Sequence, residues 1–199
     1  MSKTDTALSI LCGTWNLDSE EEIQMIFYEN GTGEIILRHI FNAWIAAETE
    51  WKSLGPEPLD QISVSVSDSD IDTTTSPTEA QVLAHFNLEI TLTKRAITTR
   101  GSTDNYILNE ENLIDAAFLP KRYSVRLEKG SFKTAFERTA GPAVRPWRQS
   151  YAYQLVFDKS PYPPLNEWKD PEEAPEPPFL PFEEWREFCS RALPKDGQA

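Results

Sequence analysis

From Leu8 to Phe157 the chain is made of short segments in which apolar and polar residues alternate, and few stretches hold a helical period for three turns. Ile23, Met25 and Phe27 alternate with Gln24, Ile26 and Tyr28. After Glu29-Asn30-Gly31-Thr32-Gly33, Ile35, Leu37 and His39 alternate with Ile36, Arg38 and Ile40. Asn and Gly supply the positive φ angles that tight turns require, so this stretch predicts a β-hairpin. Residues 41–51 continue extended, with Phe41, Ala43, Ile45 and Ala47 on one face and Trp44, Glu48 and Glu50 on the other, although the Ala-rich run also fits a helix. Gln61–Ser67 has a strict period of two. Ala80–Thr93 places Val82, Ala84, Phe86, Leu88, Ile90 and Leu92 on one face, and a strand of about 14 residues suits a barrel wall better than an open sheet. Further strands are predicted over 105–108, 122–129, 132–138 and 150–157, with a helical turn over 112–118. The sum is eight to ten strands in meander order, and the lack of a βαβ rhythm excludes a doubly wound nucleotide fold.

After Asp158 the pattern breaks. Eight of the 15 prolines fall between Pro161 and Pro181, among Glu167, Asp170, Glu172, Glu173 and Glu176, which rules out a central strand or a helix there and predicts an extended strap. A short amphipathic α-helix is predicted over Pro181–Leu193, with Phe182, Trp185, Phe188, Cys189 and Leu193 on one face. The expected organisation is a β-barrel over 1–158, with an acidic Pro-rich strap and helix over 159–199 packed on it.

Composition changes the picture in two ways. The 199 residues carry a formal net charge of -13, which disfavours nucleic acid and anionic membrane surfaces as partners. With two His and two Cys there is no material for a His-rich metal centre or a disulfide framework, so neither a metal nor a cofactor is expected. Residues 1–9 lack the pattern of a secretory signal, and the expected location is cytoplasmic. Residues 121–148 are locally basic, with eight Lys and Arg against Glu128 and Glu137, so the acidic strap has a cationic surface to lie along.

Leu11-Cys12-Gly13-Thr14-Trp15, followed by Phe27-Tyr28-Glu29-Asn30-Gly31-Thr32-Gly33, resembles the opening of the lipocalin-like (calycin) family. The resemblance covers about the first 45 residues by motif and the rest by strand rhythm. It implies an up-and-down antiparallel barrel in which Trp15 lies across the closed end, with Arg122, Arg126 or Arg138 as its basic neighbour. It also implies a small hydrophobic or aromatic ligand in the cavity. Some barrels of this kind are cyclases or isomerases.

The residues expected to line such a cavity are Phe27, Leu37, His39, Phe41, Trp44, Phe86, Leu88, Arg126 and Tyr153, although for any one of them the filled-core reading is the favoured one. His39 and Arg126 are the candidates for acid–base work if the cavity is catalytic. His85 and Glu89 share a face and could pair, but that face is opposite a wholly apolar one and reads as solvated. Trp147, between Arg145-Pro146 and Arg148, reads as a loop at the barrel mouth. No nucleophile elbow, phosphate loop or metal motif is present. A third reading is an interaction module acting through the C-terminal tail.

Overall fold

The structure is a computed structural model that describes residues 5–39, 42–64, 80–97, 109–139, 149–175 and 180–194. In chain order the elements are β1 (Asp5–Thr6), α1 (Ala7–Leu11), β2 (Gly13–Asn16), β3 (Ile23–Phe27), β4 (Thr32–His39), β5 (Asn42–Ser53), β6 (Ser63–Val64) and β7 (Gln81–Ala96). There follow α2 (Asn109–Asn112), β8 (Lys121–Phe132), α3 (Ala135–Thr139), β9 (Tyr151–Phe157) and β10 (Glu187–Ala192), with 3-10 turns at Asp115–Phe118, Leu165–Glu167 and Phe182–Glu184. Strands β10, β2, β3, β4, β5, β7, β8 and β9 pair antiparallel in that order and close in a ring, while β1 and β6 form a two-stranded ribbon. None of the described helices is long and apolar enough to cross a membrane.

The hairpin forms as the alternation predicts. Ile23 pairs with Leu37 and Met25 with Ile35, so these side chains face the core while Gln24, Ile26, Glu34 and Ile36 face outward. Gly33 is required by the close approach of the two strands: a Cβ there would stand 2.2 Å from the Ile26 carbonyl oxygen. In β7, Ala84, Phe86, Leu88, Ile90 and Leu92 are buried as expected, but Val82 is 46% exposed. A bulge between Val82 and Ala84 adds a residue and turns Val82 outward.

One end of the ring is closed by α1. Thr6 and Ser9 form a reciprocal capping box that starts this short helix. Gly13, at φ +137, turns the chain into β2, and fully buried Trp15 donates its indole N–H to the Leu11 carbonyl at 2.7 Å. Backbone bonds from Ala7 to Ile62 and from Leu8 to Leu59 tie the β5–β7 connection to the same end.

Two predicted elements differ. The strand expected over 132–138 is α3, because β8 ends at Phe132 and Thr134 and Glu137 then bond to each other as a local cap. The helix expected over 181–193 is a 3-10 turn followed by β10, and β10 supplies the strand that closes the ring between β9 and β2. Of the residues assigned to its apolar face, Phe182, Trp185, Phe188 and Cys189 are buried and Leu193 is half-buried. Phe188 faces the interior, while Cys189 faces out under the segment that holds α3, with its Sγ 3.6 Å from the Lys133 carbonyl. Burial on both faces of a strand imitated a helical period. Of Gln61–Ser67, Ser63 and Val64 form β6 and residues beyond 64 lie outside the described set, as do 105–108.

Candidate functional site

Strands β2, β4, β7 and β9 end, and β3, β5, β8 and β10 begin, at the end of the ring opposite α1, where the Pro-rich strap leaves β9. The strap does not lie outside the ring. Pro161, Tyr162 and Pro163 are buried, and Tyr162 reaches across to the β3–β4 pair, its hydroxyl 2.8 Å from the carbonyl oxygens of both Gln24 and Ile36. A phenol has one hydrogen, so these two acceptors share it. Burial, and next the Asp18 carboxylate, hold the Tyr162 phenol far above its ordinary pKa, so it remains a donor at any physiological pH.

An unbroken run of ring contacts leads from the mouth to the wall. Trp44 meets Trp168 at 6.5 Å between centroids, Trp168 stacks on Phe182 at 5.8 Å, and Phe182 meets Trp185 at 4.7 Å. Trp185 meets Tyr162 at 5.3 Å, Tyr162 stacks with Phe188 at 6.1 Å, and Phe188 continues through Phe157 to Tyr123. Each such pair contributes roughly 0.5–1.5 kcal/mol beyond area burial. The ion pair of Lys121 with Glu167 fixes the strap to the start of β8, and Arg138 pairs with Glu187, so acidic groups beyond Asp158 do meet the basic segment.

The strap occupies the space that a ligand was expected to fill. Between Ile35, Thr49, Ile90, Leu92, Pro161 and Pro163 the remaining void is about 10 Å³, room for a single water. Phe27, Leu37, Phe86, Leu88 and Tyr153 do face inward and are buried, but as packed core. Trp44 is half-buried against Trp168, and its indole nitrogen has no hydrogen-bond partner. Arg126 is a correction: it pairs in register with His85 and Val156 on the outer face and bonds Glu128 at 2.5 Å, so it lines no interior. Of the other basic residues expected beside Trp15, Arg122 bonds Glu89 and Arg138 bonds Glu187. His85 is exposed, and Glu89 is held by Lys52 and Arg122 instead. The side chain of His39, Phe41 and Trp147 lie outside the described residues.

Besides an open hollow of about 370 Å³ beside Thr32, Trp51 and Glu89, two concavities stand out among the described residues. The first is a mouth cleft of about 320 Å³ between the strap and β8, walled by Tyr123, Tyr162 and Pro164 and rimmed by Lys121, Lys159, Glu167 and Glu183. The Lys159 ammonium sits 5.3 Å from the Tyr123 ring centroid, and among the described residues no carboxylate pairs with it. Burial, then the Glu167 and Asp158 carboxylates, push the Tyr123 phenol well up, so it is neutral. The second is an open polar groove of about 1070 Å³ on the outer face of β2, β3 and β4. Sequence reasoning missed Tyr123, Lys159 and Tyr162; the available signal was an aromatic inside Pro161-Tyr162-Pro163-Pro164, where proline fixes the chain and offers the ring at little entropic cost.

Comparison with protein-family models, curated proteins and solved structures finds no match for this chain.

Proposed function

We propose that this is a lipocalin-like binding protein for a small, flat hydrophobic molecule bearing one acidic group, taken at the mouth of the ring and not in its interior. The observation that carries the reading is the mouth cleft. Its volume of about 320 Å³ falls within the size of small-molecule sites, two aromatic rings wall it, and Lys159 is a cation without a carboxylate partner among the described residues. Gly13 and Trp15, placed over a short capped helix at the far end of an eight-stranded meander, support the lipocalin-like part. Of the acid–base candidates considered for a cyclase, Arg126 faces outward beside His85, and the side chain of His39 lies outside the described residues. The tail reading is also weakened, because Phe182, Trp185 and Phe188 are already buried in their own chain.

Titration with 1-anilinonaphthalene-8-sulfonate, a flat aromatic anion, tests this on the full chain. Saturable one-to-one binding is expected, weakened about tenfold by Lys159→Glu and left unchanged by Arg122→Glu on the outer face. Absence of saturable binding, or an affinity indifferent to Lys159→Glu, overturns the reading.

A further inference from the structure

We propose that the outer groove along the β10–β2 seam binds an extended segment of a partner polypeptide carrying lysine or arginine side chains. The seam is the weakest joint in the ring. Strands β10 and β9 share five register pairs, whereas β10 and β2 share one, Cys189 with Asn16. Past that pair Arg191 adopts a left-handed conformation, φ 57, which turns β10 away from β2. The Thr14 carbonyl then accepts from the Ser190 hydroxyl at 2.7 Å, a side-chain bond where a ladder bond would otherwise run. Strand edges held this loosely are the places where sheets accept an added strand.

The groove lies on this seam. It runs from Gly13 and Ala192 at one end to Ser19, Glu20 and Glu21 at the other. The four residues of β2 span about 13 Å, enough for a segment of about four extended residues. Half-buried Ile26 offers apolar contact for such a segment, and neighbouring side chains meet charge. Four carboxylates line the groove, Glu20, Glu21, Glu34 and Glu137, against two guanidinium groups, Arg38 and Arg191. Glu137 is buried against Thr134 and Glu34 accepts from the Tyr28 hydroxyl, while Glu20 and Glu21 lie at the exposed end. Arg191 is already engaged, donating to the Ser9 carbonyl and lying 4.8 Å from the Tyr153 ring centroid. Cationic side chains are therefore favoured there, and acidic ones are repelled.

The test is selection of random heptapeptides displayed on phage against the full-length protein, followed by fluorescence anisotropy with the enriched peptides. Enriched sequences should carry Lys or Arg in alternation with apolar residues. Their affinity should fall at least tenfold in a Glu21→Lys, Glu34→Lys double variant whose melting temperature is unchanged, and hydrogen exchange at residues 13–16 should slow on binding. Enrichment of acidic peptides, no enrichment over an uncoated surface, affinity unchanged in the double variant, or equal competition by spermine, which would mark a site for small polycations only, each overturns the proposal. Displacement of the naphthalene sulfonate probe is not expected, since the mouth cleft and the seam share no lining residue.

Discussion

Tyr162 is the point at which the strap is fastened, and two substitutions separate its hydroxyl from its ring. Tyr162→Phe removes the donor shared by the Gln24 and Ile36 carbonyls, which keep their places in the β3–β4 ladder. The net worth of such a hydrogen bond is about 0.5–1.5 kcal/mol. Near the middle of that range, and at about 2–4 °C per kcal/mol for a chain of this size, the melting temperature should fall by about 2–4 °C. Tyr162→Ala also removes a ring that is 1% exposed and touches Trp185 and Phe188, so a further cavity term brings the loss to about 3–5 kcal/mol. Urea unfolding followed by tryptophan fluorescence measures both, since Trp185 is the nearest reporter. A Tyr162→Phe midpoint equal to that of the unsubstituted protein would refute the anchoring role. So would a Tyr162→Phe variant as unstable as Tyr162→Ala, because the ring would then contribute nothing of its own.

Three other substitutions test the β3–β4 register and the β2–β3 turn. Gly33→Ala should destabilise by more than about 3 kcal/mol, since its Cβ meets backbone at 2.2 Å, whereas Gly31→Asn, at φ 81 with the nearest atom 3.2 Å away, should cost about 1 kcal/mol or less; similar urea midpoints would show that β3 and β4 are registered differently. Asp18 is buried and accepts backbone N–H bonds from Glu20, Glu22 and Ile23, yet burial dominates those bonds and raises its pKa from 3.8 to about 6. The native state therefore holds a proton that the unfolded chain releases, so this group's contribution is most favourable below pH 4, falls as pH rises to 6, and is flat above. The stability of Asp18→Asn relative to the unsubstituted protein should consequently improve by roughly 3 kcal/mol between pH 4 and pH 7; a difference that does not change with pH refutes the shift.

The ring was legible in the sequence where a strand has one wet face. Ile23, Met25 and Phe27 against Gln24 and Ile26, or Phe86 and Leu88 against His85 and Asn87, show their inward and outward sides directly. Legibility failed where a second layer covers the outside. Cys189 is buried beneath the segment that carries α3, so β10 reads as apolar on consecutive positions and its period is lost. A bulge is equally hidden, and Val82 appeared to belong to the face that Ala84 keeps. The occupant of the interior was the least visible feature. Phe27, Leu37 and Leu88 look the same whether they meet a ligand or a core shared with a distant strap tyrosine, because residue type records an apolar neighbour and not its origin. The Pro-rich composition correctly excluded a helix for the strap, but it carries no information on the depth to which the strap inserts.

The single-pair joint between β10 and β2 also bears on how the molecule is made. The bond from Ser190 to Thr14 spans 176 residues, and the bond from Arg191 to Ser9 spans 182. Contacts that distant in sequence slow folding, because the closure entropy is lost before any contact is gained. Until β10 pairs, β2 and β9 are bare edges of an open sheet, a template for pairing with another chain. The time taken to close the ring should therefore set this protein's tendency to aggregate during folding.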